Sequence, residues 1–154
     1  MGYYDIEVYS RKVTTSSPEA QKWFDRGLVW CFSYFHDEAI ECFKRALEAD
    51  PDCAMAHWGV AYATGPNYNM PWERRDENMQ RDSLATCYDA TQAALALVDR
   101  ISLPEQDLIE ALPKRFPKRE PEDIKVMRGW NDDFAQAMKA VHLKHADDLD
   151  LRSI

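Results

Sequence analysis

The chain has 154 residues, 27 acidic side chains against 19 basic ones, a net charge of −8 and 45% hydrophobic residues. That length holds one domain or a short repeat array. The charge argues against nucleic-acid binding, which rests on clustered Lys and Arg, and no apolar run approaches the ~18 residues of a membrane span. Residues 1–10 lack the basic flank and apolar core of a secretory leader, and Ile6 stands where N-myristoylation after Gly2 needs Ser or Thr. Cys31, Cys42, Cys53 and Cys87 show no CxxC spacing and are too few for a disulfide scaffold; a reduced, cytoplasmic setting is the expectation.

Few glycines, abundant Ala, Leu, Glu and Lys, and turn signals a helix apart predict an all-α chain. Only Ile6, Val8 and Tyr9 hint at strand alternation. Ser17 as cap and Pro18 at the first helical position open a helix over about residues 18–35. It carries two apolar stripes, Ala20, Trp23, Gly27 and Trp30 beside Phe24, Leu28, Cys31 and Phe35, so it is packed on more than one face. The second helix, about 37–49, has one stripe (Ala39, Ile40, Phe43, Ala46, Leu47) against Glu38, Glu41, Lys44, Arg45 and Glu48, and reads as an outer helix ended by Asp50-Pro51. The third, about 52–64, stops at Gly65-Pro66. Residues 65–76 form a loop with aromatic content. A fourth helix is expected over about 81–99. The capping box Ser102-Leu103-Pro104-Glu105 starts a short fifth helix with Leu108, Ile109 and Leu112. Three prolines make 113–121 a connection, and a sixth helix spans about 122–145. The architecture expected is six helices in three antiparallel pairs.

A fixed period underlies the first pairs. In a 34-residue unit beginning at Ala20, the residues Trp23, Gly27, Trp30, Ala39, Phe43, Ala46 and Pro51 fall at the spacing of the tetratricopeptide repeat. Gly27 and Ala39 are small enough for two helices to approach, Trp23, Trp30 and Phe43 fill the space between them, and Pro51 breaks the chain before the next unit. The pattern wants Leu before its glycine, where this chain has Arg26. A second unit starts at Ala54, with His57 in the place of Trp23 and Ala61 in that of Gly27, and is interrupted by the 65–76 insertion. A third, from about Glu105, is more degenerate. The expected layout is an extension over 1–17, a repeat domain over 18–145 divided as 18–51, 52–100 and 104–145, and a tail over 146–154. The segments Thr14-Thr15-Ser16-Ser17-Pro18-Glu19-Ala20-Gln21, His36-Asp37-Glu38-Ala39, Asp50-Pro51-Asp52-Cys53-Ala54-Met55-Ala56 and Gly65-Pro66-Asn67-Tyr68-Asn69 also resemble the opening of a family of large microbial and fungal tetratricopeptide-domain proteins. Members of that family are several times longer, with a later histidine- and glutamate-rich region that implies metal chemistry. The resemblance therefore implies a short repeat superhelix, and makes the N-terminal part or a shortened relative of such a protein one alternative.

The repeat resemblance also implies a concave surface lined by the first helix of each pair, here Gln21, Phe24, Leu28, Cys31 and Phe32, an apolar groove for a protein or peptide. Phe24 and Leu28 stand where the carboxylate-clamp subset carries lysine and asparagine, which disfavours that subset. The alternative is that both pack against the N-terminal segment or Trp72. In the loop, Asn67, Tyr68, Asn69 and Trp72 offer recognition chemistry at the end of the groove; equally, Tyr68, Met70 and Trp72 form a plug over the core. His142 and His145 share a helical face but have no specified third ligand, so no metal and no cofactor is assigned. His36 is expected to cap or hydrogen-bond in its turn, and His57 to be a satisfied core histidine. The basic stretch Lys114, Arg115, Lys118, Arg119, Lys125 and Arg128, interleaved with acids, reads as a solvated connector. No phosphate loop, HExxH or GxSxG occurs, so no catalytic residue is named. The function expected is a protein-interaction scaffold. The alternatives are a scaffold fragment of a longer, metal-dependent enzyme and a module that self-associates through Leu149, Leu151 and Ile154.

Overall fold

A computed structural model describes Ile6 and residues 9–152. Six α-helices follow in order, α1 (Pro18–Phe32), α2 (His36–Ala49), α3 (Ala54–Thr64), α4 (Glu77–Leu95), α5 (Leu103–Arg115) and α6 (Ile124–Lys144), with short 3-10 turns at Trp72–Arg74, Val98–Arg100 and Leu149–Arg152. The described residues contain no strand, and Ile6 and Tyr9 are in none; Val8 lies outside the described residues. No described helix is long and apolar enough to cross a membrane. Successive helices pair as α1 with α2, α3 with α4 and α5 with α6, and the pairs meet through α2 on α3 and through α5 on both α3 and α4.

Local chemistry sets the ends. Ser17 accepts the Ala20 amide and Pro18 follows at N1. The α1 terminus differs from the expected end near Phe35. The amide of Tyr34 donates to the Cys31 carbonyl (3.0 Å) and that of Phe35 to the Trp30 carbonyl (2.9 Å), with Tyr34 at φ 63°. This is a Schellman closure with tyrosine where glycine is usual, so no glycine marks it in the sequence. Helix α4 begins four residues before expectation because Asp76 caps it, accepting from Met79 N at 2.8 Å. Helix α5 carries the expected capping box and runs through Pro113 to Arg115. Proline near a helix end forfeits one hydrogen bond, which packing of Ala111, Leu112 and Phe116 in the core outweighs.

The core draws on both α1 stripes but not on their tryptophans. Ala20, Phe24, Gly27, Leu28 and Cys31 are buried, whereas Trp23 and Trp30 are only half-buried. The guanidiniums of Arg26 and Arg45 each pack over the Trp23 ring at 4.6 Å, and Trp30 meets Phe35 edge-on. Trp23 and Trp30 therefore border the helix pair and do not fill it. Phe43 does fill it: a Cβ on Gly27 would stand 2.5 Å from the Phe43 ring and one on Gly59 would stand 2.6 Å from it. The ring is clasped between bare backbone of α1 and α3. Gly59, two residues before the expected Ala61, is the small residue that lets α3 approach. Helix α3 is buried almost all round, the pattern of a central helix. All four cysteines are buried and form no disulfide with one another, in keeping with their places on the apolar stripes.

Candidate binding cleft

The groove-lining residues expected on α1 are covered by the chain itself. Gln21 Oε1 accepts from Val13 N (3.0 Å), Gln21 Nε2 donates to the Arg11 carbonyl (2.8 Å), and Asp25 Oδ1 accepts from Arg11 N (3.0 Å), so residues 11–13 run along this face. Val13 is buried, and Tyr9 packs edge-on against Phe32 at 5.9 Å. Phe24 and Leu28 are fully buried, and in this conformation they have no surface to offer a partner. Only Phe32, 37% exposed, keeps an open edge.

The loop divides the two roles proposed for it. Trp72 is fully buried as a plug, with the Arg75 guanidinium 5.1 Å from its ring. Tyr68 is 94% exposed at the tip. Asn67 Oδ1 accepts from the amides of Asn69 (3.0 Å) and Met70 (2.9 Å), an Asx turn that shapes the tip, and Asn69 is exposed beside it. Arg75 ties the loop down from below: Nη1 donates to Thr64 O (2.9 Å), Nη2 to Gly65 O (2.7 Å) and Nε to Met70 O (3.3 Å).

Opposite the loop stands the α1–α2 turn, and two clefts open between them. One, of about 510 Å³, is bounded by Phe35, Ile40, Met70 and Met79, with Asp37 and Glu38 at its rim. The other, of about 560 Å³, is lined by Cys31, Phe32, Tyr34, His36, Tyr62, Pro66, Asn67, Tyr68 and Arg115. Tyr34, His36 and Asn67 belong to both, so they form the partition. Ligand-binding clefts fall in this size range. Tyr34 is 72% and Phe35 64% exposed. No family model, curated protein or solved structure matches this chain.

Burial shapes the titrating groups here. Desolvation pushes the Cys31 thiol up to about 12, so it stays protonated and is no nucleophile. The His36 imidazole is pushed below its usual range, first by burial and then by the Arg115 and Arg75 guanidiniums, against the pull of Asp37. Its Nδ1 is buried with no hydrogen-bond partner, in contrast to the capping role expected of it. His57 is half-buried and donates from Nε2 to Pro51 O (3.0 Å), which secures the 50–53 turn. His145 meets Asp107 (2.5 Å) and not a metal set with His142; among the described residues no three His, Cys, Asp or Glu side chains are arranged to hold an ion.

Two cleft residues differ from the sequence reading: Arg115, expected in a solvated connector, and Tyr34, for which no role was expected. The 113–121 stretch does form surface ion pairs, Arg119 with Asp89 and Lys118 with Glu122, but Arg115 belongs to the last turn of α5 and turns inward. It packs against the rings of Phe134 (4.9 Å), Phe116 (5.5 Å) and Tyr62 (5.7 Å). The available signal was the i, i+4 and i+7 spacing of Leu108, Leu112 and Arg115, hidden by the proline between them. In the tail, Leu151 is buried in the chain's own core while Leu149 is exposed; Ile154 lies outside the described residues. That leaves the tail one of the two described apolar residues expected for self-association.

Proposed function

We propose that the protein is a tetratricopeptide-like binding module that takes a segment of a partner protein across the double cleft between the α1–α2 turn and the 65–75 loop. One observation carries this reading. Of the ten large apolar side chains exposed on the described surface, six (Phe32, Tyr34, Phe35, Tyr68, Met70 and Met79) surround this one place. Scattered exposed apolar residues need no explanation, but a contiguous patch rimmed by polar groups marks an interaction surface. The groove expected along α1 gives way to this site because the N-terminal segment occupies it. Four buried thiols without disulfides support a reducing, cytoplasmic setting.

The test is selection of a displayed random-peptide library on the full chain. A recurring sequence motif is expected, and the Tyr34→Gly/Tyr68→Ala double variant should lose it while keeping its thermal midpoint. Equal enrichment on the double variant would sink the assignment. A solution mass of twice 17.9 kDa that reverts to one chain in the double variant would instead identify the occupant as a second copy.

A further inference from the structure

The larger cleft is chemically one-sided. In a chain of 27 acidic residues, no carboxylate lines it, yet it contains a guanidinium. Arg115 makes no ion pair among the described residues. Its Nη2 donates to Pro66 O (2.5 Å) and its Nε is buried with no partner, while the residue lines the cleft. The head is enclosed by protein although the residue as a whole is half-buried. A charge held this way carries a desolvation cost that three aromatic faces and one carbonyl offset only in part. Arg75, the neighbouring cation, spends all its nitrogens on loop carbonyls. Arg115 therefore lines the cleft with donor capacity to spare, and an arginine fork binds carboxylates in preference to neutral acceptors.

We propose that Arg115 receives a carboxylate of the bound segment, with the rings of Tyr34 and Tyr68 holding the residues beside it. This rests on the double cleft being the binding surface. One guanidinium with one nitrogen already committed suits a monoanion; a phosphate dianion would meet too few donors, with Asp37 and Glu38 close by in the adjoining cleft. The carboxylate comes from an acidic side chain or from a chain terminus, and the experiment separates them.

The full chain, labelled with nitrogen-15, is titrated with three short peptides built on one tyrosine: one followed by glutamate and amidated, one followed by glutamine and amidated, and one ending in a free carboxylate after alanine. The Arg115 Nε–H signal, assigned by its loss in Arg115→Lys, is expected to shift with the acid-bearing peptides, and the glutamine peptide to bind at least about tenfold more weakly. Response to the glutamate peptide alone assigns a side chain; response to the free terminus alone assigns a chain end. Inorganic phosphate is the fourth probe, and a shift with phosphate but neither carboxylate overturns the proposal. So does equal binding of the glutamate, glutamine and free-terminus peptides, which leaves the binding-surface reading intact. Absence of any motif in the library selection overturns that reading instead. Binding is read in the unaltered protein, and Arg115→Lys serves only to assign the signal.

Discussion

Tyr34 pays a conformational cost to stand where it does. A non-glycine residue at φ 63° costs on the order of 1 kcal/mol, and the Schellman position it fills is normally given to glycine. With its ring 72% exposed, Tyr34 recovers little of that by burial. Strain of this kind is kept where a side chain must be presented, here at the partition between two clefts. Tyr34→Gly should therefore hold or raise the unfolding free energy read from urea melts, by up to about 1 kcal/mol, while abolishing peptide enrichment. A loss of stability would show that the ring is structural. Tyr34 was not legible as a special residue, since left-handed backbone leaves no trace in composition unless glycine or asparagine marks it.

Among the elements, α3 and the loop that follows it organise the rest. Phe43 fits only because Gly27 and Gly59 present bare backbone on either side of its ring. Gly59→Ala would push a methyl into that ring and should destabilise by about 1–3 kcal/mol in denaturant melts, and Gly27→Ala likewise. No change at either site would mean that Phe43 can rotate away. The repeat spacing revealed Gly27 and Phe43 but pointed to Ala61, because the register assumed a second unit of unbroken period; the actual close approach is two residues earlier. The loop depends on Arg75. Arg75→Ala removes three donors from the carbonyls of Thr64, Gly65 and Met70 and should cost about 1–3 kcal/mol locally, read as faster amide exchange over 65–72 ahead of global unfolding. Arg75→Lys should rescue little, because one ammonium cannot span all three carbonyls. The Gly65-Pro66 stop after α3 made this segment recognisable as a loop, but its division into a buried Trp72 and an exposed Tyr68 was not readable, since both are aromatic.

Across the whole molecule, the ends of the chain are stitched together. Arg11 meets Asp148 through two bonds of 2.8 Å and Asp150 at 3.1 Å, while buried Glu105 accepts from Thr14 N (2.7 Å) and Oγ1 (2.6 Å) as well as from Ser102. The segment over α1 is thus fastened to α5 and to the C-terminal turn. The Arg11 hydrogen bonds hold the Asp148 carboxyl below the usual range. A depressed carboxylate contributes stability that is complete above the unfolded value of about 4 and is lost as pH falls through the folded one. Stability should fall on acidification below about pH 4, and less steeply in Arg11→Gln, measured by urea midpoints; parallel curves would deny the clamp any role. Glu105→Gln loses charged acceptance of those bonds and should cost about 2–3 kcal/mol in the same melts.

By itself the sequence determined the all-helical class, six helices, the capping box at Ser102, the loop after Gly65-Pro66 and the cysteines as core, because caps, prolines and periodicity act within a few residues of one another. The three-dimensional structure alone decided that the N-terminal segment covers the α1 groove, that Trp23 and Trp30 lie at its border, and that Tyr34, Tyr68 and Arg115 meet around one cleft. Those three residues come from a turn, a loop and the end of α5, far apart along the chain. Their meeting depends on how helix pairs stack, which no local preference encodes.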